Sequence, residues 1–238
     1  MSLSLLKTHV LPFEYEIVRS ARRSISIEVS KAKVVVRSPH FVAAAQLEKF
    51  VREKATWVQQ KLAQQQNQID EVPERTYATG SQLPLLGKDL TLSVNRQTQA
   101  DIFRYGDELR VYLAMRSRLS DEDQARRLVG QWYQRQALSI LTAKTDAMVA
   151  LIGAKHSGVT IKATRSKWGH CTVRGAIQYN WQILLAPEAI VDYLVAHEVS
   201  HLRHHNHSPD FWALVASICP EYKKRRAWLK ANGMHLIL

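Results

Sequence analysis

APEAIVDYLVAHEVSH, residues 186–201, is the stretch on which the fold turns. Pro187 suits the first helical position, where a residue needs no N–H for the intrahelical ladder. Ile190 and Leu194 then precede His197 by 7 and 3 residues, so the histidine continues the apolar stripe that a helix turns toward its core. The expected helix runs to about Arg203. Within it, His197-Glu198-Val199-Ser200-His201 is the His-Glu-x-x-His pattern. Residues four apart lie one above the other on a helix, about 5 to 6 Å apart, which suits two ligands of a single tetrahedral zinc ion. Glu198 is rotated by about 100° from His197 and can act as base toward a metal-bound water without ligating the ion. Two histidines buried one turn apart beside a carboxylate, without a ligand, need other hydrogen-bond partners, and a metal explains them better.

Downstream stand His204, His205 and His207. A catalytic zinc takes three protein ligands and keeps one open position, so one of these can complete the site. His207 is the best placed. It precedes the Ser208-Pro209-Asp210 start of a short helix, and Asn206 tolerates the left-handed conformation of a sharp turn. His204 and His205 read instead as a basic helix C-terminus. The short helix ends before Pro220, and a last helix runs from there to about Ala231. Upstream, residues 159–164 and 176–185 read as strands joined near Arg174-Gly175. Ser120 or Asp121 caps a long helix that reaches about Ile152, with Gly153 beyond its end. Further toward the start, residues 23–29 and 33–37 alternate as a hairpin, and 44–66 carry a helical period. Residues 70–84 read as a linker, and 85–94 and 108–113 as strands. The pattern predicts an α+β fold. Residues 1–115 form a β-rich part with one helix, and 116–238 a helical catalytic part in which a short sheet packs on the metal-bearing helix.

No run of about 18 apolar residues occurs, and the first ten residues lack an export pattern, so a cytoplasmic chain with no membrane partner is expected. Cys171 and Cys219 are the only cysteines, which excludes a disulfide scaffold and a Cys-x-x-Cys zinc site. They read as buried thiols. Lysine and arginine number 33 against 21 acidic residues, a net charge of +12. Such a surface attracts nucleic acid, nucleotides or an acidic protein, or else is simply well solvated; the charge is spread over short clusters such as Lys223 to Arg226. Arg165 and Lys167 suit an anionic substrate or a developing oxyanion. Trp168, Trp181, Phe211 and Trp212 suit a cleft lining or, more commonly, a core.

RSKWGHC (165–171), Asn180-Trp181, Leu185-Ala186-Pro187, HEVSH and NHSPDFW (206–212) together resemble the YgjP-like metal-dependent hydrolases, relatives of the SprT-like metallopeptidases. The basic hairpin near residues 22–37 and the helix containing Trp57 extend the likeness over most of the chain. The resemblance implies a zincin-like catalytic unit, zinc ligands at His197, His201 and His207, and a catalytic Glu198. In one respect the chain departs from the family, which usually carries serine where His170 stands. Arg165, Trp168 and Asn180 are the candidate substrate-binding residues. The expected reaction is zinc-dependent hydrolysis of a peptide or protein, with Glu198 taking a proton from water and delivering it to the leaving amine. Two alternatives keep the metal. One is a pyrophosphatase-type hydrolase of nucleotide phosphoanhydrides, and the other a DNA- or RNA-associated protein with a zinc site. An intact glutamate beside three histidines, with no cysteine ligands, argues against a purely structural metal.

Overall fold

The computed structural model describes residues 11–30, 33–70, 75–164 and 167–238. They form two compact units, Met1–Val72 and Pro73–Leu238. In the first, β2 (Ser26–Ser30) and β3 (Lys33–Pro39) are the anticipated hairpin, antiparallel with Ile27 opposite Val36. A further strand, β1 (Glu16–Ser20), pairs parallel with β3. The single helix anticipated over 44–66 is two, α1 (Ala44–Glu53) and α2 (Ala55–Asp70), broken where Lys54 adopts φ −99° and ψ 4°. The break lets Leu47 and Val51 of one helix and Val58 of the other bury in the same core as Val34 and Val36.

The second unit holds the helix that carries His197 and His201. β4 (Gln82–Leu85), β5 (Lys88–Gln97), β6 (Asp101–Tyr105) and β7 (Glu108–Ala114) form a sheet in the order β4-β5-β7-β6, with β5 and β7 parallel. Only residues 71–74 of the anticipated linker lie outside the described residues, and its end belongs to β4. The buried face of this sheet (Leu83, Leu90, Leu92, Leu109, Val111) shares one core with α3 (Asp121–Leu151). The division anticipated at 115/116 therefore falls inside this unit, between two elements packed on each other.

Ser120 caps α3, its Oγ accepting from the Asp123 N–H at 3.1 Å. At the other end Gly153 takes φ +60°, and Arg203 donates to the Ile152 and Gly153 carbonyls at 2.9 and 2.7 Å. β8 (Gly158–Lys162), β9 (Gly169–Cys171) and β10 (Ala176–Asn180) make a second sheet in the order β8-β10-β9, which leaves β9 on an edge. The strand anticipated to 185 ends at Asn180, whose Oδ1 accepts the Gln182 N–H at 3.1 Å and caps a 3-10 turn, Trp181–Leu185. Then follow α4 (Glu188–Ser200), α5 (Pro209–Ile218) and α6 (Tyr222–Asn232). Pro187 is the N-cap of α4, one position before the anticipated one. Lys144 of α3 donates to Glu188 and Asp192 of α4, both at 2.7 Å, which fixes the two helices against each other. No helix among the described residues is long and apolar enough to cross a membrane.

Candidate metal centre

α4 is buried on most of its surface, with Val191, Val195 and Val199 at 0% exposure, so its polar residues are held in place by packing. His197 and His201 stand one turn apart, and the helix ends at His201. The chain then turns back. The Ser208 side chain caps α5 by accepting the Phe211 N–H at 3.3 Å, and this return brings His207 over the helix. Its Nε2 lies 3.2 Å from His197 Nε2, and one ligand atom from each of His197, His201 and His207 lies within 4.8 Å of the others. Phe211, fully buried, forms the floor, its ring 5.0, 4.5 and 4.8 Å from the imidazoles of His197, His201 and His207. Trp212 stacks on His207 at 5.6 Å and on Tyr222 at 5.3 Å, continuing the support outward to α6.

The donor set fits a metal ion. A tetrahedral ion with nitrogens at about 2.0 to 2.1 Å spans about 3.4 Å between neighbouring donors, close to the observed His197–His207 separation. Burial, with the charges of His201, His207 and Arg226 adding to it, pushes the His197 imidazole down to about 3, so it is neutral with a lone pair to give. Burial also lowers His201. The His201 Nδ1–H donates to the His204 carbonyl at 3.0 Å, which assigns the proton to Nδ1 and leaves the Nε2 lone pair free for a metal ion. His204 thus supports the site through its backbone, and His205 is exposed at the rim.

Glu198 is 4% exposed, and burial pushes its carboxyl up to about 8, partly opposed by the positive charge of Lys167. Its place is kept by Gly169 of β9. A Cβ there would fall 2.6 Å from Glu198 Cγ, so only glycine lets the edge strand and the carboxyl lie together. Gly169, His170 and Cys171 line a cavity of about 320 Å³ together with Glu198 and the three imidazoles. The Cys171 thiol is pushed up to about 11 by burial and by Glu198.

The remaining expected residues fall elsewhere. Arg165 lies outside the described residues. Trp168 packs on Gly233, where a Cβ would be 3.1 Å from its Nε1, and its carbonyl accepts the Asn180 N–H at 2.7 Å. Asn180 is buried, and its Nδ2 donates to the Thr164 carbonyl at 2.9 Å. Neither residue lines the cavity; the two hydrogen bonds of Asn180 tie Thr164 and Trp168 to the end of β10. The sequence reading did not single out Gly169 or the supporting role of Phe211, although both sit inside the WGHC and NHSPDFW segments.

Three imidazoles whose nitrogens lie within 4.8 Å of one another beside a buried carboxyl could hold a metal ion next to a proton-transfer group, the equipment of a metal-dependent hydrolase. The chain belongs, within that class, to the YgjP-like family, whose metallopeptidase-domain model matches residues 23–232. No curated protein matches the chain by sequence.

Proposed function

We propose that the chain is a zinc metallopeptidase in which His197, His201 and His207 hold the metal and Glu198 is the general acid and base. The observation that carries the reading is the convergence of those three imidazoles on one point beside a buried carboxyl. A donor set of nitrogen alone, with His197 and His207 3.2 Å apart, favours zinc over the oxygen-seeking calcium and magnesium. Zinc held there supplies the Lewis acidity that acidifies water and polarises a carbonyl. Glu198 then handles the proton at its carboxylate oxygens, receiving it from water and passing it to the leaving amine. Burial makes the carboxyl a stronger base than an exposed glutamate, which suits taking a proton from water. Gly169 keeps the carboxyl in register, and Phe211 keeps the imidazoles from turning.

A polypeptide substrate is favoured by β9. As the edge strand of its sheet it presents one side free of strand pairing, and it lines the cavity along its whole length. An extended peptide can add to such an edge through main-chain hydrogen bonds and lie across Glu198. A nucleotide gains nothing from a strand edge. The test is the zinc-loaded chain assayed against peptide and nucleotide panels in parallel, with the Glu198→Gln variant as control. Peptide cleavage lost in the variant supports the reading, whereas phosphoanhydride cleavage with intact peptides contradicts it.

A further inference from the structure

The cavity at the metal centre adjoins a second one of about 210 Å³, and the two share Val173 and His205 in their linings. The second is bounded by the turn between β9 and β10, where Gly175 takes φ +78° and sets Arg174 at the surface, and by Lys155 in the segment before β8. Its polar side chains are Lys155, Arg174, Thr172 and His205. Among the described residues neither Lys155 nor Arg174 makes an ion pair or a side-chain hydrogen bond. Many other cations are engaged: Lys144 by Glu188 and Asp192, Arg203 by the carbonyls that end α3, Arg110 by Glu108. Thr172 Oγ1 already accepts the Ala176 N–H at 3.0 Å, which leaves its O–H free to donate. Among the described residues the only carboxyl lining either cavity is the buried Glu198. A pocket whose free groups are donors and cations, with no acid to neutralise them, is built for an anion with several acceptor oxygens. Its volume admits a side chain and lies below the 300 Å³ or so at which drug-sized ligand sites begin.

We propose that this pocket receives an anionic side chain of the substrate, a carboxylate or a phosphoryl group, so that the enzyme selects acidic polypeptides cleaved a short distance from that group. The proposal rests on the peptidase reading and names its substrate class. Val173, 81% exposed on the ridge between the cavities, marks the step from the scissile bond to the anion, over which the substrate backbone passes.

The test uses the full zinc-loaded chain and peptides that differ at one position at a time, bearing Glu, Gln, phosphoserine or Lys. Two quantities are read: kcat/KM for cleavage, and the dissociation constant of fluorescently labelled peptides from the Glu198→Gln chain. At one position the anionic peptides should exceed the Gln peptide by roughly tenfold in both, as a desolvated charge-assisted contact does. The higher of the Glu and phosphoserine values decides which anion the pocket takes. The double variant Lys155→Glu/Arg174→Glu should remove that ratio or turn it toward Lys, with zinc content and melting temperature kept. Arg116→Glu/Arg118→Glu, an equal change of charge elsewhere, should leave the ratio alone. An equal response to Glu and Gln at every position overturns the proposal, as does an unchanged ratio in Lys155→Glu/Arg174→Glu. If no peptide is cleaved at all, the peptidase reading fails. The binding arm still decides the pocket: anion-selective binding reversed by the double variant sustains it, and its absence overturns it.

Discussion

Replacing Gly169 by alanine tests how tightly the base is held. The added Cβ would lie 2.5 Å from Glu198 Cδ and 2.6 Å from Cγ, whereas unstrained carbon contacts lie at about 3.5 to 4.0 Å. One partner must give way by about 1 Å. Withdrawing β9 costs its pairing with β10, where Gly169 faces Tyr179, so part of the strain passes to the Glu198 side chain. Overpacking of this kind destabilises by about 1 to 3 kcal/mol, and about 1 Å of misplacement at a reacting group costs on the order of 100-fold in rate. In a chain of this length the melting temperature should fall by about 2 to 4 °C per kcal/mol. The imidazole cluster is untouched, so metal content should stay at the wild-type level. Calorimetry, metal analysis and peptide hydrolysis measured on one preparation decide the matter. In the combined variant Gly169→Ala/Glu198→Ala the stability loss should be much smaller than the sum of the single effects, because Cγ and Cδ are gone. A Gly169→Ala protein with wild-type rate and stability would refute the reasoning.

Three further predictions follow from the same geometry. On the proposed role of Glu198 as a proton carrier that does not ligate, Glu198→Gln should retain stoichiometric metal while hydrolysis falls by about 100-fold to 10,000-fold; loss of metal in the variant would make it a ligand. His207→Ala should weaken zinc at least about tenfold in competition with a chromogenic chelator, and His204→Ala should do little, because His204 serves through its carbonyl; equal affinities for His207→Ala and wild type would remove His207 from the site. In the metal-free protein, Glu198 stays protonated in the folded state up to about 8 but ionises near 4.5 when unfolded, so its contribution to stability is lost as pH rises through that window. His197, lowered to about 3 from 6.5, has the opposite sign and contributes stability that is lost as pH falls below 6.5. The wild-type chain should therefore lose stability between pH 6.5 and 8 relative to Glu198→Gln, by about 1 to 2 kcal/mol, and parallel melting curves for the two would show that the carboxyl is not held neutral.

The parts of this protein that were legible in its sequence are those with a long period or a strong boundary signal. α3 announced itself by Ser120, its acidic first turn and Gly153, and α4 by the stripe from Ile190 to His201. The placement of His207 beside the α4 histidines was legible because Ser208 and Pro209 mark where the chain restarts as a helix. Short elements were not. β9 has three residues and β6 buries only Ile102, so neither shows an alternation long enough to read. Residues 183–185 are a continuous apolar run, which a buried strand and a buried 3-10 turn share; the Asn180 cap decides between them. Gly169 was hidden for a different reason. What fixes it is a contact with Glu198, 29 positions later, and no local pattern carries that information.

The central claim, a metal held by three imidazoles beside an unligated glutamate, is tested most directly by X-ray absorption at the zinc edge of the loaded protein. The account predicts three imidazole nitrogens at about 2.0 to 2.1 Å, a further light atom from solvent and no sulfur, with the same imidazole shell in Glu198→Gln. A sulfur at about 2.3 Å, or a spectrum that loses a ligand when Glu198 is changed, would contradict it.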